Sequence, residues 1–106
     1  MKHDEANFTK QVLQMAKLLG WRTAHFRPGM MANGRWITAV SGDGKGFPDL
    51  VLVRGKRLLF VELKTDTGEM SDEQIDWMYD LFYTNAEVMM WCPSDWNEIQ
   101  QELEPE

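Results

Sequence analysis

The sequence predicts an α/β fold, a central mixed β-sheet flanked by helices in the order α-β-β-β-α-β-α. Two long stretches repeat apolar residues at three- and four-residue spacing, the signature of amphipathic helices. Short β-prone runs lie between and after them, bounded by Gly, Pro and Asn. The 106 residues are 43 % hydrophobic, with five Trp and five Phe, enough bulk for one core in a single domain spanning residues 1–106.

Each element has its own signal. A first helix runs from about Asp4 to Leu19, with Phe8, Val12, Met15, Ala16 and Leu19 on one stripe. Gly20 ends it, where a residue lacking Cβ adopts a left-handed conformation. Trp21 to Arg27 reads as a strand, broken by Pro28-Gly29. Residues 28–47 are punctuated by five glycines around a β-prone stretch, Arg35 to Val40, and a loop of that length in a small domain is mobile or functional. Gly42-x-Gly44-x-Gly46 precedes a strand rather than a helix, so it fails as a dinucleotide fingerprint and reads as a flexible turn.

Asp49–Val53 and Leu58–Lys64 follow as a hairpin around Arg54-Gly55-Lys56-Arg57, with Gly55 suited to a type II′ turn. Ser71 and Gln74 form a capping-box pair that opens a second helix, with Ile75, Met78, Leu81 and Phe82 as its buried stripe and an end near Thr84-Asn85. Glu87 to Cys92 is a further strand. Pro93-Ser94 starts a final helix with Trp96, Ile99 and Leu103 inward.

Composition excludes several classes. No apolar run approaches the ~18–20 residues of a membrane span, so no membrane partner is expected. Met1 to Glu5 lacks the apolar stretch of a signal peptide, and a cytoplasmic location is expected. Cys92, the single cysteine, rules out an internal disulfide and a Cys-rich zinc site. The Met and Trp content reads as core or interface packing and implies no small-molecule cofactor.

The net charge of −6 argues naively against nucleic acid, but its distribution does not. Residues 1–64 hold all 11 basic side chains and five acids, whereas residues 65–106 hold the other 12 acids and no base. A fold that separates those halves presents a basic face, and phosphate responds to the local field rather than to the total. Arg22, Arg27, Arg35 and Lys45 are candidate phosphate contacts within the basic half, and each alone equally suits a solvated surface.

The hairpin carries the chemistry. Pairing outward from a Gly55-Lys56 turn sets Arg54 against Arg57, Val53 against Leu58 and, by the same count, Asp49 against Glu62. Side chains so opposed have Cβ atoms roughly 4.5–5.5 Å apart, where like charges destabilise. Glu62 also interrupts an apolar run, Leu58 to Leu63, where an ionised group is costly unless paired. A hard, oxygen-seeking cation such as Mg²⁺ relieves both penalties. Alternation puts Lys64 on the same face, an ammonium beside two acids. His25 lies on the first strand, either near a bound phosphate or as a structural residue. Trp36 suits stacking on an unpaired base, a loop anchor or a dimer contact. Cys92, among Met89, Met90 and Trp91, suits a core position.

These residues, as Gly46-Phe47-Pro48-Asp49-Leu50, Glu62-Leu63-Lys64 and Gly68-x-x-Ser71-x-x-Gln74-x-x-Trp77, resemble the virus-type replication-repair nuclease (VRR-NUC) domain of the PD-(D/E)xK nuclease superfamily. Glu5-x-x-Phe8, Gly20-Trp21 and Trp91-x-Pro93-Ser94-x-Trp96 extend the similarity over essentially the whole chain, closest to small stand-alone bacteriophage members. The resemblance implies a restriction-endonuclease-like core. It implies that Asp49 and Glu62 bind Mg²⁺ or Mn²⁺, that the Leu63 carbonyl is a main-chain ligand, and that Lys64 is the motif lysine. Glu5 matches a first-helix glutamate that completes such sites, and equally suits a favourable acid at a helix N-terminus. Gln74 matches the family glutamine as well as the capping box.

The expectation is a metal-dependent endonuclease acting on branched or duplex DNA, four-way (Holliday) junctions included. A chain this small has little surface to grip a duplex, which suggests a homodimer with two active sites. If encoded by a phage or prophage, it acts in the bacterial host cell. The alternative is a non-catalytic DNA-structure-binding protein that retains the nuclease fold.

Overall fold

The computed structural model describes residues 5–26, 29–30, 36–37 and 42–105. Helix α1 spans Glu5–Leu18, followed by β1 (Arg22–His25), β2 (Gly29–Met30), β3 (Trp36–Ile37), β4 (Leu50–Arg54), β5 (Arg57–Leu63), helix α2 (Asp72–Phe82), β6 (Glu87–Trp91), a 3-10 turn (Pro93–Asp95) and helix α3 (Trp96–Leu103). The α-β-β-β-α-β-α order holds for the four-stranded sheet, whose strands lie β1-β4-β5-β6. Within the β-prone stretch Arg35 to Val40 the described part is β3, and it pairs antiparallel with β2, which lies where the sequence predicts only the Pro28-Gly29 break after the first strand. Strands β1, β4 and β5 are antiparallel, and β6 joins β5 in parallel after the α2 crossover. No helix among the described residues is long and apolar enough to cross a membrane.

Alternation along β4 and β5 sorts the sheet into two faces. Leu50, Leu52, Leu59, Val61 and Leu63 are fully buried and pack with Phe8, Val12 and Ala16 of α1 and with Ile99 and Leu103 of α3. The opposite face carries Phe60 and Glu62 and receives α2. Gly20 takes φ +89°, and Gly55 takes +59° with no positive φ at Lys56, the type II′ combination.

The cross-strand pair Arg54–Arg57 would repel were it not for what it clamps. Arg54 donates to the carbonyls of Leu19 (3.0 Å), Leu103 (2.6 Å) and Glu104 (3.1 Å). Arg57 donates to the Glu102 carbonyl at 2.9 Å and pairs with the carboxylates of Glu87 (2.8 Å) and Glu102 (2.6 Å). Positive charge at the carbonyl end of α3 is where a helix dipole favours it. Both guanidiniums approach the Trp21 ring, at 4.5 and 5.3 Å, while the Trp21 indole donates to the Leu103 carbonyl at 2.8 Å. Arg54 thereby ties the end of α1 to the end of α3, and Arg57 ties α3 to the start of β6.

The predicted stripe of α2 needs correction. None of its residues is fully buried, and Ile75 and Phe82 are 49 % and 65 % exposed. The side chains that turn inward are Gln74, Trp77, Met78 and Leu81, because Gln74 and Trp77 hold fixed bonds to the rest of the molecule. Anchoring those two rotates the helix and leaves Ile75 and Phe82 on its flank.

Candidate active site

Asp49 stands immediately before β4, with its backbone held by Phe26 N–H donating to its carbonyl at 2.8 Å. Its placement begins with the preceding loop. Gly46 has φ +85°, and a Cβ there would lie 2.5 Å from the Glu73 carbonyl carbon and 2.7 Å from the Gln74 nitrogen. The expected flexible turn is at this position a close approach between loop and helix that only glycine permits. Phe47 fastens the loop further, edge-on to Phe26, Phe60 and Trp77 at 5.4, 6.0 and 5.0 Å. The Trp77 indole donates to the Asp43 carbonyl at 2.9 Å.

The hairpin register is the one the sequence implies, Leu50 against Val61 through Arg54 against Arg57. Continued by one pair, it brings Asp49 to Glu62, and Asp49 Oδ2 accepts the Leu63 N–H at 2.8 Å. Glu62 is 1 % exposed. Its Oε2 accepts from Gln74 Nε2 at 2.7 Å and lies 3.5 Å from Lys64 Nζ. Its Oε1 is buried with no hydrogen-bond partner among the described residues.

Gln74 forms the expected capping box and, at the other end of its amide, reaches Glu62. Its Oε1 accepts from Ser71 N–H at 2.8 Å in the capping box, and its Nε2 donates to Glu62. Engaging both ends of the amide fixes its orientation.

Electrostatics follow from burial. Glu62 has its pKa pushed up to about 8, first by burial and then by the Asp49 charge, against which Lys64 acts. Asp49 is raised by burial despite the Leu63 N–H. Two carboxylates cannot donate to one another, but a proton retained on Glu62 lets it donate to Asp49. Glu5 is also raised, by burial and then by the Asp49 charge.

The residues therefore fit a divalent cation. Hard carboxylate oxygens, one of them buried and unpartnered, face each other where only a cation or a proton makes the arrangement tolerable. Among the described residues, no group of three or more His, Cys, Asp or Glu comes together as a ready-made ligand cluster. Glu5 lines a neighbouring cavity with Asp49 and His25 without closing such a cluster.

Residues 7–95 match the family model of the VRR-NUC domain. The chain belongs to that family. The VRR-NUC domain is a nuclease of the PD-(D/E)xK type, and the match spans the β4–β5 hairpin with Pro48-Asp49 and Glu62-x-Lys64 at its two ends. Nucleases of that type act on nucleic acid, here implying DNA, and generally use divalent metal ions. The α/β architecture of the VRR-NUC match agrees with the sheet and helices described above. Comparison with curated proteins and with solved structures gives no match.

The candidate phosphate contacts fare differently. Arg22 is exposed on β1. Lys45 forms an exposed ion pair with Glu73 at 3.3 Å, the kind worth at most ~1 kcal/mol. Arg27 and Arg35 lie outside the described residues, and the Trp36 side chain is not described. Cys92 follows β6 half-buried, its thiol pKa raised by burial and by Asp95 and Asp66, an unreactive setting rather than a core one. The sequence reading missed the Phe47 cluster and the role of Gly46. It also missed Lys10 and Lys17, whose seven-residue spacing puts both on one side of α1.

Proposed function

We propose that this VRR-NUC chain is a Mg²⁺- or Mn²⁺-dependent endonuclease that hydrolyses phosphodiester bonds in branched DNA, with four-way junctions as a substrate. The observation that supports it most is the buried, unpartnered Glu62 Oε1 beside Asp49. In this reading Asp49 and Glu62 hold the ion, with the Leu63 carbonyl and Glu5 as further oxygen donors. When bound, the ion supplies Lewis acidity toward a phosphoryl oxygen and lowers the pKa of water.

The chain's own groups do the rest. Gln74 holds the Glu62 carboxylate in one orientation through its 2.7 Å bond. Lys64 keeps an ammonium 3.5 Å from Glu62 Oε2, where it donates to the attacking water and offsets charge developing on phosphorus. Arg22 and Lys45, with Arg27 and Arg35, meet backbone phosphates. A homodimer would present two such sites to one branched substrate.

The test is incubation with labelled four-way junction, flap and linear duplex in Mg²⁺, Mn²⁺ or EDTA. Metal-dependent cutting that Asp49→Ala or Lys64→Ala abolishes, with DNA binding retained, is the expected result. Binding without cutting under every metal condition would instead identify a passive DNA-structure binder.

A further inference from the structure

The cavity beside Asp49 extends away from the carboxylate pair. It has a volume of about 610 Å³ and lies along α1, lined by Glu5, Lys10, Leu13, Gln14 and Lys17 of that helix together with His25 of β1 and Asp49. The α1 residues follow one another at alternating one- and three-residue intervals down a single stripe, while Phe8, Val12 and Ala16 face the core. At ~1.5 Å rise per residue, Lys10 and Lys17 stand about 10 Å apart along the helix, far enough to meet different phosphates of one strand.

Among the described residues, four of the six other Lys and Arg side chains are engaged, Arg22 and Lys56 being the exceptions. Arg54 and Arg57 hold the carbonyl end of α3, Lys45 pairs with Glu73, and Lys64 pairs with Glu62. Lys10 and Lys17 have no ion-pair partner among the described residues. The surface of α2 carries Asp72, Glu73, Asp76 and Asp80 and no base, so a polyanion is repelled there and attracted along α1.

We infer that this α1 groove binds an unpaired DNA strand leading to the scissile phosphate, with Lys10 and Lys17 meeting its phosphates and Leu13 supporting a base or sugar. The inference rests on the nuclease reading and names the part of the substrate that the site takes. A concavity with an apolar floor and a basic rim suits a single strand, whose unstacked bases enter it; a rigid duplex does not.

The experiment measures binding of labelled oligothymidine and of a blunt duplex in EDTA, at salt concentrations from about 50 to 200 mM. It compares the wild type, the double variant Lys10→Gln/Lys17→Gln and the charge-keeping Lys10→Arg/Lys17→Arg. Both lysines are exposed on the helix, so the substitutions leave the core intact. Losing two phosphate contacts lowers the salt slope on the single strand by about 1.4. Duplex binding changes less, the arginine variant restores the slope, and in metal the loss of junction cleavage falls on KM. An unchanged slope in the glutamine variant, or equal loss on duplex and single strand, overturns the inference. Wild-type protein that binds the oligonucleotide but cuts nothing in Mg²⁺ or Mn²⁺ would overturn the nuclease reading instead, and leave the groove standing.

Discussion

Replacing Glu62 with glutamine should make the metal-free protein more stable at pH 8 and no more stable at pH 4.5. In the folded chain the Glu62 carboxyl keeps its proton up to about pH 8, against an ordinary value of 4.5. Between those values the folded state binds a proton that the unfolded state has released, so stability falls as pH rises through that window, the reverse of a salt-bridged carboxylate. At ~1.4 kcal/mol per pH unit the full window corresponds to on the order of 5 kcal/mol, an upper bound and a large share of the ~5–15 kcal/mol that holds a domain together. Glutamine removes the charge, keeps an oxygen to accept from Gln74 and offers an N–H toward Asp49. The assay is urea denaturation followed by tryptophan fluorescence in EDTA across that pH range. Wild-type stability that rises with pH, or wild type and variant that run parallel, would refute the reasoning.

Three further outcomes are expected. At pH 8, Mn²⁺ or Mg²⁺ at about 100 times its Kd should stabilise the wild type by about 2.7 kcal/mol in thermal denaturation, and should leave Glu62→Gln little changed. Lys64→Ala should slow junction cleavage by about 10²–10³-fold, read as kcat, while affinity for the junction in EDTA is retained. Gly46→Ala should cost at least ~1–3 kcal/mol in chemical denaturation, since the new Cβ meets the α2 backbone at 2.5 Å in a left-handed conformation; cleavage should fall with it as Gln74 shifts.

The parts of the molecule legible in its sequence are those set by local rules. The hairpin register followed from one two-residue turn, and with it the approach of Asp49 to Glu62, because strand pairing propagates outward without further information. The capping box at Ser71 and Gln74 was equally local. What escaped depends on contacts between distant segments. The stripe of α2 was read from hydrophobicity alone, whereas Gln74 and Trp77 claim the inward side through bonds to Glu62 and Asp43. Gly46 looked like one glycine in a loose series, and its constraint exists only once Glu73 packs against it. Lys10 and Lys17 share a helix face in the sequence, but only the approach of β1 and Asp49 turns that face into one wall of a cavity.

The most direct test of the account is a crystal of the protein soaked in manganese, examined by anomalous scattering. It requires a peak between the carboxyl oxygens of Asp49 and Glu62, at coordination distances of roughly 2.0–2.2 Å. Carboxyl groups turned apart, with no anomalous signal between them, would contradict it.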